Sequence, residues 1–490
     1  MGKHELIKKV GSMSFAVFIS RILGLIRDIM TTAFWGTSYV ADAFQVAFQI
    51  PNLLRRLFGE GALSAAFIPL YGEIGIKRGR KAQIDFGINV LSILTTFLMI
   101  LSIIGIVFAP LIIKLLAPGF DAETSLVTLK LIRIMFPYLL LIGLSSTLIS
   151  ILNSHDYFFI PGLSSAFLNI AMILSLGIFV LIKNSATAIE QVVVWSIGVV
   201  IGGILQTIIN FPILKKLGYK IRLDLNLRGH DISAVWKRFL PGVVGLAIRQ
   251  VNLAFDLILA SLLATGSIAA LNYGNRLMQL PLGVFGVAVG VAVLPLFSRL
   301  ITEGNWEELE DSLNFSMSSL AFIMIPIVAI VAALGKDMII ILFMRGNFDL
   351  HSLNMTYQAF LCYSFGLLFY SWNRLIIPIF YAAKDTKTPV KISVFIVVLN
   401  ISLNILLMQF IGHAGLALAT SISAVVHFFI LIVFLKKKYN QFKIKNLKQS
   451  LIKIITLALI IWLVLTYLTH LFSQESVIYS MMRVFVLGAI

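Results

Sequence analysis

Seven arginines lie in stretches otherwise apolar enough for a lipid bilayer: Arg21 and Arg27, Arg55 and Arg56, Arg249, Arg276 and Arg374. A basic side chain near the bilayer centre costs about 2.5–3.5 kcal/mol on insertion scales, so each needs a reason to be there. A guanidinium is always charged and offers a planar fork of donors that grips phosphate oxygens two at a time. Arginines turned toward a shared cavity would select an anion, and a phosphate-bearing one best. Those within a turn or two of a helix end can instead snorkel to the headgroups, a reading that stays open for Arg55, Arg56 and Arg374. Arg21 and Arg276 lie deeper. Asp28 follows Arg21 by seven residues and Asp256 follows Arg249 by seven, so each acid shares a helical face with its arginine and can neutralise it in part. Asp42 and Glu60 are the other notable acids.

No other constellation competes with these arginines. The seven histidines show no HExxH spacing, no GxxxxGK[ST] loop exists to cradle a nucleotide, and no nucleophile–base–orienter set is recognisable. The single Cys362 has no partner for a disulfide and sits in an apolar run, where packing explains it. An enzyme is therefore disfavoured against a carrier driven by a gradient or potential, and no cofactor is expected.

The elements that must position the arginines follow from composition. Of 490 residues, 59% are hydrophobic and 12% charged, about half the charge of an average globular chain. The mean hydropathy of +0.97 requires that most of the surface face lipid. The sequence predicts an all-α polytopic membrane protein, because windows of about 20 apolar residues recur throughout. About fourteen are countable: 11–34, 42–70, 86–113, 126–152, 161–182, 191–214, 236–263, 267–297, 312–334, 353–382, 390–411, 414–435, 451–470 and 477–490. The last is short, which suggests that the natural chain continues beyond Ile490. The N-terminus shows no cleavage pattern and reads as retained. Most of the 39 cations fall in the tail before the first span and in alternate loops, above all 215–238 and 436–453. By the positive-inside rule these face the cytoplasm, with the N-terminus. That sorting also accounts for the net charge of +17 without nucleic acid.

The chain resembles itself. Arg21 and Arg249 are 228 residues apart, as are Pro161 and Pro389; Phe67-Ile68-Pro69-Leu70 matches Val293-Leu294-Pro295-Leu296 at 226, and Leu168-Asn169-Ile170 matches Leu399-Asn400-Ile401 at 231. A near-constant offset implies a duplicated block of six helices with two added at the end. An even number per block gives both halves one orientation, hence a pseudo-twofold along the membrane normal with the site between halves. The expected organisation is an N-terminal lobe 1–214, a basic linker 215–235, a C-terminal lobe 236–435, and a basic linker with the last two helices at 436–490. The Gly198/Gly202 pair and Gly283, Gly286 and Gly290 read as close helix packing.

Several long segments in order are similar to one family: SRILGLIRD from Ser20 to Asp28, DAFQVAFQIPNLLRRLFGEGALSAAFIPLY from Asp42 to Tyr71, NYGNRLMQLPLGVFGVAVGVAVLP from Asn272 to Pro295 and DTKTPVKI from Asp385 to Ile392. Together they resemble the MurJ (MviN-like) lipid II flippases of the multidrug/oligosaccharidyl-lipid/polysaccharide exporter superfamily. The resemblance implies a plasma-membrane carrier that moves undecaprenyl-diphosphate-linked disaccharide pentapeptide from the inner to the outer leaflet by alternating access. It implies a cationic cavity of Arg21, Arg27, Arg55 and Arg276, with Asp42 and Glu60 as its acids. It further implies a groove for the lipid tail formed by the last two helices, contact with membrane lipids, and a monomer.

The chain departs from the family in two places. Asn275 stands where many relatives have Asp, before the cavity arginine. A sodium site built in some relatives on two aspartates is matched here by Asp256 and by Asn404, with Asn400 and Thr420 alongside, so coupling to sodium or protons is left open. The competing functions are a flippase for another polyprenyl-diphosphate glycan, a multidrug exporter, and a non-transporting scaffold. An arginine-lined cavity argues against cationic drugs, and a scaffold has no need of inward arginines.

Overall fold

The computed structural model describes residues 3–58, 62–220, 222–226, 230–438 and 447–471. Among the described residues the chain is helical and has no strand. It divides into two compact units, Met1–Ile258 and Leu259–Ile490. The first holds α1 (Lys3–Trp35), α2 (Tyr39–Phe58), α3 (Ala62–Val107), α4 (Ala109–Leu116), α5 (Ala122–Met135), α6 (Pro137–Ser154), α7 (Phe159–Ile182), α8 (Ala188–Ile208), α9 (Phe211–Lys216) and most of α10 (His230–Ser261). The second holds α11 (Ser267–Pro281), a π-helical turn (Leu282–Gly286), α12 (Val287–Glu303), α13 (Trp306–Phe343), α14 (Leu350–Ser364), α15 (Leu367–Ala382), α16 (Lys387–Ile411), α17 (His413–Lys438) and α18 (Leu447–Leu471).

Nine helices among the described residues are long and apolar enough to span a bilayer, or ten if α14 and α15, bent by 41° at their junction, count as one. The expected fourteen are not reached. Three of the remaining helices, α1, α2 and α10, are those that carry Arg21, Arg27, Arg55, Arg56 and Arg249, and the span expected at 477–490 lies outside the described residues. Within the expected span 42–70, α2 is described as far as Phe58 and α3 from Ala62. The basic stretch 77–81 is helical on either side of one non-helical residue, Gly79 (φ 83°, ψ 172°), a conformation that suits a residue without Cβ.

The duplication appears as element order. Residues 39, 122 and 159, which open α2, α5 and α7, lie 228 before residues 267, 350 and 387, which open α11, α14 and α16. The pairings repeat as well: α2 on α5 and α11 on α14, α7 on α8 and α16 on α17, α6 on α8 and α15 on α17. Among the described residues the non-glycine positions at positive φ are Asp156 (64°) and Lys384 (58°), again 228 apart, each in the loop before the matching helix. α18 has no counterpart and packs on α13, where Leu465 meets Leu334.

Within each unit the helices approach closely at small residues and lock at aromatic ones. A Cβ on Gly202 of α8 would come within 2.8 Å of the Leu168 Cα of α7, so the glycine is what lets these backbones touch. Trp35 meets Trp195 edge-on at 5.6 Å, joining α1 to α8, and Trp372 of α15 packs on Phe428 of α17 at 4.9 Å. Pro281 removes a ladder hydrogen bond at the end of α11, and the chain takes up the slack in the π turn that follows.

The loop before α16 is held by charge. Asp385 accepts a hydrogen bond from the Thr388 backbone N–H (3.0 Å) and pairs with Lys438 at the end of α17 (2.6 Å). The Lys438 ammonium, joined by the Thr388 donors, holds the Asp385 carboxyl well below the usual carboxylate range. A depressed value in the fold means that the pair stabilises fully above the unfolded value of about 4 and loses its effect as pH falls further. Because Lys438 is half exposed, the pair contributes no more than about 1 kcal/mol. Asp385→Asn, which keeps an acceptor for Thr388, should lower the thermal midpoint of the purified protein at pH 7, and the difference from the parent should shrink as the pH drops below about 4. A difference unchanged down to pH 3 would show that the carboxylate charge is not its source.

Candidate functional site

α1 presents the most developed polar site in the first unit. The Arg27 guanidinium donates to Asp28 Oδ1 from Nε (3.2 Å) and Nη2 (2.7 Å), and to Asn169 Oδ1 of α7 from Nη1 (3.1 Å). Asn169 is buried and hands its own Nδ2 to the Ser20 carbonyl (3.1 Å), while the Ser20 hydroxyl meets that of Ser165 at 2.7 Å. The Asn169 amide packs beside Gly24, one turn before Asp28, at a distance where even a Cβ would make only an ordinary contact (3.6 Å). Arg27 and Asp28 keep 13% and 15% of their side chains exposed. The result is a guanidinium fixed in direction whose remaining donor edge can meet an anion. Charge-assisted bonds of about 1.5–3 kcal/mol each offset the cost of burying the Arg27 guanidinium.

The pairing differs from the sequence expectation. Asp28 bonds to its neighbour Arg27, whereas Arg21, expected to share it, lies exposed on α1. Arg55 is half-buried near the end of α2, and Asp42 is 3% exposed in the first turn of the same helix, where the positive end of the helix dipole favours a carboxylate. Glu60 lies outside the described residues, as does the Arg249 side chain. Asp256 of α10 accepts from the Asn252 side chain at 3.1 Å.

The second unit holds the rest. Arg276 is exposed on α11, and Asn275 beside it accepts a hydrogen bond from Gln279. Arg374 is exposed on α15, where its carbonyl lies 3.2 Å from a Cβ built on Gly290. Asn400 and Asn404 are both buried and do come together: Asn404 Nδ2 donates to Asn400 Oδ1 (3.2 Å) and Asn400 Nδ2 to the Ser423 hydroxyl (3.2 Å). Thr420 donates to the Leu416 carbonyl (2.9 Å). The Asn400 oxygen proposed for an ion is thus already an acceptor within α16. Among the described residues no group of three or more His, Cys, Asp or Glu side chains is placed to hold a metal ion.

A family profile described as "Lipid II flippase MurJ" matches residues 30–487. The chain belongs to the lipid II flippase MurJ family. A probable lipid II flippase MurJ of Buchnera aphidicola subsp. Acyrthosiphon pisum is 34% identical over 475 residues, covering 96% of this chain and 91% of that protein. The lipid II flippase MurJ of Burkholderia cenocepacia is 30% identical over 442 residues, covering 89% of this chain and 84% of its own length. A solved structure of lipid II flippase MurJ in an inward closed conformation superposes with a TM-score of 0.81 at 29% identity, over 97% of this chain and 96% of that one. A multidrug resistance MATE family transporter of the MOP superfamily superposes with a TM-score of 0.69 at 15% identity, covering 88% of this chain and 96% of that one, which speaks to fold alone.

Sequence reading named the MurJ-type arginines but not the residues that hold Arg27. Asn169 entered it only as part of the repeat, Ser20 only as the first residue of a motif, and Ser165 not at all. A buried asparagine in an apolar span was the available signal, since such a residue must find partners in lipid. A second polar cluster was also missed: the Tyr71 hydroxyl meets His155 Nε2 at 2.9 Å and the Tyr219 hydroxyl at 2.5 Å. Burial, with the nearby Arg80 charge, keeps His155 less basic than usual, against a smaller opposing effect of Asp156.

Replacing Asn169 with Leu removes an acceptor from Arg27 and a donor from the Ser20 carbonyl. It should cost about 1–3 kcal/mol, read as a lower thermal midpoint, while Asn169→Gln should recover part of it. Equal midpoints for Asn169→Leu and the parent would show that the network carries no stability.

Proposed function

We propose that this chain flips lipid II across the bacterial plasma membrane, from the leaflet facing the N-terminus to the opposite one, with the N-terminus and basic loops in the cytoplasm. The observation that carries the reading is the family match over residues 30–487. The fixed guanidinium of Arg27 supports it chemically, because a diphosphate is the charged part of such a lipid and arginine grips phosphate in a fork. Flipping makes and breaks no covalent bond, so the chain is a transporter rather than an enzyme. Its multi-pass apolar helices place it in a membrane.

In this reading Arg21, Arg27, Arg55 and Arg276 bind the diphosphate, and Asp42 and Glu60 balance their charge. The lobes 1–214 and 236–435 alternate between two access states, and the segment 436–490 guides the polyprenyl tail. The protein acts as a monomer. A flippase for another polyprenyl-diphosphate glycan would share this chemistry, but the family match favours lipid II.

The test is complementation in cells depleted of their own flippase, with outer-leaflet lipid II as the readout. The parent should sustain growth. Arg27→Ala should cut flipping roughly thirtyfold or more, the equivalent of about 2 kcal/mol of charge-assisted binding, with membrane insertion intact. Arg27→Lys should restore only part, since it keeps charge but loses the fork. Full flipping in the Arg27→Ala, Arg21→Ala and Arg276→Ala variants alike would overturn the assignment of these side chains.

The membrane potential is the proposed source of work, because each charge moved across it is worth about 2.3 kcal/mol per 100 mV. Asn404 in place of a second carboxylate, and the use of Asn400 Oδ1 by Asn404, leave little charge to attract sodium. Collapsing the potential should therefore slow flipping more than removing sodium does. Loss of flipping on sodium removal at constant potential, restored by sodium alone, would reverse that conclusion.

A further inference from the structure

The first unit holds a second polar centre that shares no residue with the Arg27 network. Tyr71 of α3 is fully buried, and its hydroxyl stands between His155 Nε2 (2.9 Å) and the Tyr219 hydroxyl (2.5 Å). The three residues come from separate parts of the chain: α3 before Gly79, the loop that follows α6, and the segment that follows α9. That last segment is strapped along α3 beyond Gly79. Arg80 donates to the Leu217 carbonyl (3.2 Å), Arg222 pairs with Asp85 (2.6 Å), Asn89 donates to the Asp224 carbonyl (2.9 Å), and the Asp224 N–H donates to the Ser92 hydroxyl (3.0 Å). Gly87 of α3 is what admits Tyr219, because a Cβ there would lie 2.7 Å from the Tyr219 hydroxyl and 3.3 Å from the Tyr71 ring.

The hydroxyl protons of this cluster have one arrangement that uses them all. Tyr71 donates to Nε2 of a neutral His155 and accepts from Tyr219, so each proton meets an acceptor. A proton on His155 reverses the chain. Nε2–H then donates to Tyr71, Tyr71 must donate to Tyr219, and the half-buried Tyr219 hydroxyl loses its acceptor within the cluster. The charges around the ring act in the same direction. Burial disfavours an imidazolium at His155, the Arg80 charge of α3 repels it, and Asp156 in its own loop offsets only part of both. With Tyr71 and Tyr219, these are the charged and titratable groups that bear on the ring.

We propose that Tyr71, His155 and Tyr219 form a proton-controlled clasp, which holds the strap carrying Leu217, Tyr219, Arg222 and Asp224 on α3 while His155 is neutral and releases it when His155 takes up a proton. Once the strap is undocked, His155 regains the basicity of a free histidine. The docked strap is therefore fully favoured above the ordinary value of about 6.5 and gives way as the pH falls below it. The strap precedes α10, which begins at His230, so acidification on the side of the basic loops frees the chain that enters that helix. The clasp does not depend on what the chain transports.

The experiment is amide hydrogen exchange, read by mass spectrometry on the full chain in phosphatidylcholine nanodiscs at pH 7.5 and 5.5 and corrected for the intrinsic effect of pH on exchange. Histidine is the side chain that ordinarily changes charge across this window. In the parent, strap peptides around Tyr219 and Asp224 should open roughly three- to tenfold more often at pH 5.5, the upper figure being that of a docked His155 that takes no proton. Peptides of α8 should keep their protection at both pH values. His155→Gln, which keeps an acceptor for Tyr71 but does not titrate, should leave the strap equally protected at both. Gly87→Ala should displace Tyr219 and leave the strap open at both, with α8 still protected. Parent strap exchange that ignores pH, a pH response that survives His155→Gln, or an acceleration that α8 shares would each overturn the proposal.

Discussion

Much of this fold turns on one arginine that cannot be left bare. Arg27 keeps only 13% of its side chain exposed, and the first unit pairs its charge with an acid on the same helix and an amide on another. The second partner matters more for architecture. Asn169 can serve Arg27 only if α7 lies directly against α1, and the Ser20–Ser165 hydroxyl contact sits alongside. α7 then needs a close neighbour on its other side, and Gly198 and Gly202 of α8 supply it. Charge satisfaction and helix packing are here one arrangement.

The periodic features were legible in the sequence because they are linear. An offset of 228 survives as matching helix starts, matching helix pairs and a matching pair of positive-φ residues. What sequence could not supply was anything decided by a partner far along the chain. Helical spacing offered Asp28 to Arg21, yet it bonds to Arg27, whose guanidinium also reaches Asn169, 142 residues on. Asp385 likewise belonged to a recognisable motif, but its ion pair with Lys438 spans 53 residues.

Fold and cargo separate cleanly in this protein. A MATE multidrug transporter superposes over 88% of the chain at 15% identity, so the helical scaffold is indifferent to what is carried. A scaffold that presents a fixed guanidinium repels cations and attracts phosphate, and the same scaffold with acids would do the reverse.

The repeated pairing of neighbours has a consequence for how the molecule is made. α7 with α8 and α16 with α17 are hairpins closed by short loops, so their contacts join residues close in sequence and form early, before long-range ordering entropy must be met. Because the first compact unit ends at Ile258, its helices can insert and pack while the second half is still being synthesised. The Arg27–Asn169 contact, spanning 142 residues, is then complete before Arg276 leaves the ribosome, and the nascent chain never carries all its membrane arginines unsatisfied at once.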